Sequence, residues 1–388
     1  MNHSEVATAS SDQSSPDEPL RHFWRGVAKT LLLAAVLAVG YLAFWPAPID
    51  PLAYTPQPKP ALEGPLAPND RLQSAEILAE GQVNGPEDVE VDAEGRIYAG
   101  TADGWVVRVE PDGSVTRFAK TGGRPLGLAM DGNGNLIVAD GIKGLLSIAP
   151  DKTVTTLVTN ADGVDFGFTD DLDVARDGTV YFSDASSKFG PGQYLHDMLE
   201  ARPHGRLLRY NPASKTVDVL LDSLYFANGI ALSQNEDFVL VNETYRHRVT
   251  RYWLSGPKAG TSDNFVDNLP GYPDNISSNR RGTFWLALFT VRNDTADWLG
   301  PRPWVKQALS KLPSFLWPKP QPYAFVVQLD ETGTIVDSLQ DPSGKRLHTV
   351  TSAHERDGHL YLGSLHNDRI GKYKLPAADA TVDAPKAE

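Results

Sequence analysis

The chain has 388 residues, a formal net charge of −13 and no cysteine. That balance excludes a nucleic-acid partner, since phosphate binding needs basic patches and none is present, whereas an acidic surface suits metal cations. Without cysteine there is no disulfide, zinc–thiolate site or thiol nucleophile.

Residues 1–26 read as a disordered cytoplasmic tail, polar at first and then basic through Arg21, His22 and Arg25. Residues 27–45 follow, uncharged from Thr30 to Trp45, and with Lys29 snorkelling to headgroups they are long enough to cross a bilayer as a helix. Tyr41, Phe44 and Trp45 sit at the far end, where an aromatic belt lies. A cleaved signal peptide is the alternative, but the cleavage pattern is poor and prolines crowd the exit. The preceding positive charges imply a single-pass membrane protein whose body lies outside the cytoplasm, in a periplasm or lumen. Residues 46–68 carry prolines at 46, 48, 51, 56, 58, 60, 65 and 68, which favours an extended spacer holding the body off the membrane.

The body spans residues 69–376, before a small polar tail at 377–388. Short strands are expected at 96–100, 105–110, 136–139, 179–183, 207–210, 238–242, 248–253, 283–288, 324–329 and 359–363, separated by turn signals such as Asp177-Gly178. Two insertions interrupt them. Lys188–His204 holds a helix-like piece near Tyr194–Ala201. A longer insertion after Phe289 carries Trp304, Val305, Ala308, Leu309 and Leu312 at helical spacing, readable as a rim helix, a lid or a membrane contact.

One spacing recurs six times. Glu87, Leu126, Asp170, Asn228, Asp274 and Val350 are each followed, eight positions on, by a turn at Gly95, Gly134, Gly178, Glu236, Gly282 and Gly358. Two apolar residues come next, as in Ile97-Tyr98 and Phe284-Trp285. Repeats of this kind mark an all-β, six-bladed β-propeller, in which equivalent positions on the innermost strands converge on one axis. Glu87, Asp170, Asn228 and Asp274 should then face one another. Three carboxylates so close repel one another unless a hard divalent cation lies among them. Calcium, which accepts irregular sets of carboxylate and amide oxygens, is the expected ion. Any one of these residues is as well explained as a turn cap, but four at one repeat position are not. Asp131-Gly-Asn133-Gly-Asn135 mimics a calcium loop yet lacks its sixth-position glycine, and is expected to be a hairpin turn.

Gly-Pro-Glu87-Asp-Val, Arg-Pro-Leu126-Gly-Leu, Phe-Thr-Asp170-Asp-Leu-Asp, Phe-Ala-Asn228-Gly-Ile and Gly-Tyr-Pro-Asp274-Asn-Ile resemble the motifs of the calcium-dependent propellers, which include gluconolactonases, paraoxonases and diisopropyl fluorophosphatase. Ser183-Asp-Ala-Ser-Ser-Lys, Arg302-Pro-Trp and His359-Leu-Tyr-Leu-Gly-Ser narrow the resemblance to the strictosidine synthase-like, adipocyte plasma membrane-associated protein-like branch. The resemblance implies calcium ligation by Glu87, Asn228, Asp274 and Asn275. Asp170 falls where that family usually has Asn, adding a negative charge. It also implies a second calcium held by Asp88, Asp171 and the carbonyl of Leu128. The implied activity is hydrolysis of a small-molecule lactone, aryl ester or organophosphate. Asp274 would be base or nucleophile, with Glu87 the second catalytic candidate. Leu126 stands where paraoxonases place a channel histidine, and His247 and His348 are the remaining candidates for a proton shuttle. A non-catalytic calcium-stabilised binding or scaffold propeller is the alternative. A strictosidine synthase-like condensation fits less well, since residues 347–354 contain no acid.

Overall fold

The computed structural model describes residues 18–376, so residues 1–17 of the expected tail and all of 377–388 lie outside the described residues. Six four-stranded antiparallel sheets follow one another, as expected for a propeller. Blades 1 to 5 occupy residues 89–120, 125–158, 169–224, 227–266 and 271–341. Blade 6 takes three strands from residues 350–374, and its outermost strand, Glu76–Leu78, comes from the start of the body. Pairing Glu76 with Lys372 and Leu78 with Ile370 closes the ring by tying the start of the body to its end.

The repeat residues build the spaces between blades. Phe238 and Leu240 of blade 4 pack against Phe284, Leu286 and Phe325 of blade 5, for example. Gly95, Gly134, Gly178, Glu236, Gly282 and Gly358 all adopt positive φ, so each expected turn is present. Glu236 is the one side chain among them tolerated in this left-handed conformation. Asp131 accepts from the backbone amides of Asn133 and Asn135, both at 2.8 Å, which makes that segment the expected hairpin turn.

The sixth repeat was misaligned by one residue. In blades 1, 2, 3 and 5 three residues lie between the turn's closing pair, as between Asp92 and Arg96, whereas in blade 6 only Asp357 and Gly358 separate Arg356 from His359. The shorter hairpin shifts the repeat position from Val350 to Thr351. Val350 is buried in the core with Leu360 and Leu362.

The N-terminal helix, α1, runs Glu18–Phe44 and starts nine residues before the expected span, taking in the basic residues placed in the tail. Its Leu20–Phe44 segment, with mean hydropathy 2.1, is a candidate membrane span.

Residues 46–68 are not a free spacer but a strap lying across the propeller. The amides of Leu52 and Tyr54 donate to the Glu200 and Gly300 carbonyls at 2.8 and 3.0 Å. Arg292 and Asn268 reach the carbonyls of Gln57 and Pro58, and the Arg246 guanidinium stacks between Tyr54 and Tyr225. Proline lacks an N–H, so the interspersed residues supply the donors and the flanking carbonyls remain free to accept.

Two insertions sit beneath the strap. The first forms α2, Tyr194–Glu200, and the second forms α3, Asp294–Leu299, and α4, Pro303–Ser310. Of the apolar stripe on α4, Leu309 packs on the cluster of Ile49, Phe189, Leu199 and Trp317, while Trp304 faces outward. Lys306 is only 3% exposed, whereas Trp304 is 72% exposed. The Lys306 ammonium donates to the Leu52 carbonyl at 2.6 Å, so the strap captures the polar face.

Candidate functional site

Every innermost strand from blade 2 to blade 6 breaks its ladder at the repeat position. In blade 3 Thr169 pairs with Asp184 and Leu172 with Phe182, so Asp170 and Asp171 together oppose Ser183. The same two-against-one bulge holds Leu126-Gly127, Asn228-Gly229 and Asp274-Asn275. In blade 6 the extra residue is Thr351. A bulge re-aims consecutive side chains that a regular strand would send to opposite faces. Both residues of each pair therefore reach the axis, the first toward one end and the second toward the other. Where backbones approach most closely the second residue is glycine. A Cβ on Gly127 would lie 2.6 Å from the Asp171 Cα, and one on Gly229 would lie 2.5 Å from the Asp274 carbonyl oxygen.

Glu87, Asp170, Asn228, Asp274 and Thr351 thus meet at the floor of one cavity of about 390 Å³. All but Thr351 were named from the sequence. Asn275 reaches the same hub from below, its amide donating to Glu87 Oε1 at 3.1 Å. Thr351 donates to the Glu87 carbonyl at 2.5 Å. Asn242 donates to the Asp274 carbonyl oxygen, and Thr244 to that of Pro273 at 2.8 Å, fixing the bulge that presents Asp274.

Burial, followed by the charges of Asp274 and Asp170, drives the Glu87 carboxyl well above its ordinary range. Asp170 is raised in the same way, by burial and then by Asp274, with Arg124 opposing. Asp274 is raised by burial to about 7, against a hydrogen bond from Asn228. Glu87 Oε2, Asn228 Oδ1 and Asn275 Oδ1 are all buried without a hydrogen-bond partner. Such orphaned oxygens cost roughly 1–3 kcal/mol each. Three of them beside mutually repelling carboxylates fit a hard, oxygen-seeking cation. Among the described residues no three His, Cys, Asp or Glu side chains are disposed to hold a metal ion by themselves.

The walls above this floor are apolar, formed by Leu126, Phe168, Phe226, Tyr245, Phe289 and Met198 of α2. Arg124 is the one cation among the lining residues, two positions before the repeat residue Leu126 of blade 2. Sequence reasoning passed over both Arg124 and Thr351. The first stood in the Arg-Pro-Leu126-Gly-Leu motif with no role assigned to it, and the second was hidden by the one-residue offset.

Asp88, Asp171 and Leu128 come together around a smaller cavity at the other end of the channel, beside Asp173 and His354. There Asp88 Oδ2 accepts from the Leu128 amide at 2.9 Å and Asp171 Oδ2 from the Ile230 amide at 2.7 Å, so both acids clamp one blade to the next. Neither suggested proton shuttle lines the main cavity. His247 is buried against Tyr272, its Nδ1 3.0 Å from the Gly271 carbonyl, and desolvation lowers its pKa to about 3. The His348 ring contacts Thr349 and Asn367.

Comparison with known proteins identifies relatives of this chain and solved structures of the same fold. A family model described as "Strictosidine synthase" matches residues 170–257, and one described as "Strictosidine synthase-like, N-terminal" matches residues 64–109. The adipocyte plasma membrane-associated protein of Rattus norvegicus is 38% identical over 372 residues, covering 89% of this chain and 98% of the relative. Its Homo sapiens counterpart is 38% identical over 374 residues, covering 89% of each. Strictosidine synthase-like 3 of Arabidopsis thaliana is 35% identical, covering 79% of this chain and 86% of its own. Among solved structures, a gluconolactonase from Xanthomonas campestris superposes with a TM-score of 0.59 at 18% identity, covering 86% and 99% of the two chains. Regucalcin from Agrobacterium tumefaciens, described as a calcium-binding protein, gives 0.56 at 12% identity, covering 77% and 93%. At these identities the likeness is one of fold.

Proposed function

The chain belongs to the strictosidine synthase-like family that contains the adipocyte plasma membrane-associated proteins, and from that premise we propose that it is a membrane-anchored, calcium-dependent hydrolase of lactones or aryl esters. One observation carries the reading: three unpartnered buried oxygens stand among three carboxylates at the floor of an apolar cavity. The gluconolactonase and calcium-binding regucalcin of the same fold support it.

Glu87, Asp170, Asn228, Asp274 and Asn275 would hold the ion. Calcium bound there supplies a Lewis acid that polarises the substrate carbonyl. Asp274 is the general base: its carboxylate takes a proton from water as the water oxygen bonds to the acyl carbon. The bond to the leaving alkoxide or phenoxide then breaks, and Asp274 returns the proton to it. Glu87, held by Asn275 and Thr351, fixes the hub against which Asp274 is positioned. The apolar walls orient the ester body and exclude bulk water.

Candidate span α1 would place the body outside the cytoplasm. The exposed aromatics Trp298, Trp304 and Phe315 support a body resting on the bilayer, since Tyr41 at the end of α1 donates to the Lys311 carbonyl beside them. The test is turnover of phenyl acetate and a panel of γ- and δ-lactones, with calcium and after its removal. Calcium-dependent turnover that disappears in Asp274→Asn supports the hydrolase. A calcium-dependent melting temperature with no turnover on any ester leaves a calcium-stabilised scaffold.

A further inference from the structure

The second insertion differs in charge from the rest of the chain. The protein carries a formal net charge of −13, yet residues 298–329 contain Arg302, Lys306, Lys311 and Lys319 and no acid. Arg302, Lys306 and Lys311 donate to the backbone carbonyls of Trp298, Leu52 and Leu42, which leaves their charges unneutralised. Lys319 is exposed. The same segment holds most of the apolar surface that the body leaves uncovered. Of the described residues after residue 68, the large apolar side chains more than half exposed are Ile142, Trp298, Trp304, Phe315 and Leu316. All but Ile142 lie between residues 298 and 316, and Ile142 lines the main cavity. The Arg302 guanidinium sits 4.3 Å from the centre of the Trp298 ring, pairing a cation with an aromatic at the surface.

The position of this patch in the fold gives it a definite neighbour. Both insertions leave the propeller between the second and third strands of their blades, the first after Val180–Asp184 and the second after Thr283–Val291. Equivalent connections emerge on one face of a propeller, and Tyr194 and Met198 of α2 line the main cavity on that face. The end of α1 meets the insertion there. Lys311 Nζ donates to the Leu42 carbonyl at 2.7 Å, and the Tyr41 hydroxyl donates to the Lys311 carbonyl at 3.3 Å. A bilayer crossed by α1 therefore has its surface at the level of the patch. Exposed tryptophan and phenylalanine suit any such surface. The cations discriminate, because Lys and Arg are drawn to anionic headgroups while the acidic remainder of the body is repelled by them.

We propose that residues 298–319 form an electropositive, aromatic platform that docks on an anionic phospholipid surface and holds the cavity face of the propeller against the bilayer. Of the hydrolase reading this uses only the anchor α1.

The chain has no cysteine, so one introduced cysteine carries an environment-sensitive fluorophore at a single known site. Full-length protein labelled at Phe315→Cys is reconstituted in nanodiscs of phosphatidylcholine alone, or of phosphatidylcholine with an equal part of phosphatidylglycerol. Quenching by nitroxide-bearing lipid is compared with quenching by aqueous acrylamide. Val36→Cys in α1 and Ser214→Cys, in the hairpin at the opposite end of blade 3 from α2, are the references. The label at position 315 should be quenched by lipid about threefold more in the anionic discs than in the neutral ones. It should also be shielded from acrylamide relative to position 214. Salt at about 0.5 M should remove the difference between discs by screening the headgroups. Lys319→Glu, at an exposed position, should shrink that difference at low salt without changing the melting temperature, and adding Arg302→Gln should abolish it. Equal lipid quenching at position 315 in the two discs overturns the proposal, as does a difference indifferent to salt or to Lys319→Glu. Acrylamide quenching at 315 equal to that at 214 also overturns it, because the patch then faces water. Lipid quenching at 315 with none at 36 overturns the span alone, whereas lipid quenching at 36 with none at 315 overturns only the platform.

Discussion

Removing calcium should make the stability of this protein fall as pH rises, and adding it back should abolish that part of the fall. Burial raises Asp274 to about 7, and burial raises Asp88 to about 6, both from an ordinary value of 3.8. Because these folded values lie above the unfolded one, the native metal-free state binds more protons than the unfolded state between them. Stability is therefore greatest below pH ~4 and is lost as pH rises through 6 to 7. At about 1.4 kcal/mol per unit, Asp274 accounts for about 4 kcal/mol by pH 8 and Asp88 for about 3 kcal/mol. A domain of this size shifts its melting temperature by roughly 2–4 °C per kcal/mol. About 4 kcal/mol of this is lost between pH 5 and 8, so metal-free protein should melt roughly 8–16 °C lower at pH 8 than at pH 5. Asp197 of α2, raised to about 7 by burial, contributes with the same sign but away from the hub, so the diagnostic quantity is the calcium-dependent part. The assay is thermal unfolding from pH 5 to 8 after passage over chelating resin, repeated with excess calcium. A melting temperature at pH 8 that calcium leaves unchanged would refute the reasoning, because the repulsion inferred at the hub would not be there.

Other outcomes follow from particular contacts. Asp274→Asn should lower ester turnover by about 10²-fold or more, measured with phenyl acetate at saturating calcium. Val350→Ala should cost about 2 kcal/mol in denaturant unfolding without altering calcium affinity, whereas Thr351→Val should lower calcium affinity with little effect on the unfolding midpoint, because its hydroxyl holds the Glu87 backbone. Asp197 shares a 2.5 Å hydrogen bond with the Ser186 hydroxyl in a fully buried setting, so Asp197→Asn should raise the melting temperature at pH 8 more than at pH 5. Arg246→Ala removes the cation stacked between Tyr54 and Tyr225 and should release the strap, seen as faster chymotryptic cleavage after Tyr54.

The ring of oxygen donors was legible because propeller geometry is nearly one-dimensional. Once the spacing between strand and turn repeats, equivalent positions must converge, and Glu87, Asp170, Asn228 and Asp274 do so. Asn275 came from resemblance, and the reason it reaches the hub became visible only as a bulge, since strict alternation would turn it away from the face occupied by Asp274. The sixth position failed for a local reason: a two-residue turn at Asp357-Gly358 replaced the three-residue turn of four other blades. An apolar residue was therefore placed where the threonine hydroxyl stands.

The strap's course and the orientation of α4 were not legible for a different reason. Proline content predicts extension correctly, but it says nothing about which surface lies alongside, and the acceptors and donors that hold residues 50–58 come from α2, the α3 region and blades 4 and 5. Hydrophobic periodicity placed Trp304 on one apolar stripe with Lys306 interleaved and left open whether the stripe meets the propeller, a pocket or the membrane; the Leu52 carbonyl draws Lys306 in and leaves Trp304 outside. Periodic residues interact with neighbours at set separations along the chain, so their arrangement is written locally in the amino-acid order. The guanidinium of Arg124 beside Asp170 and the strap across the propeller depend on contacts between segments far apart in that order, and only the folded chain decides them.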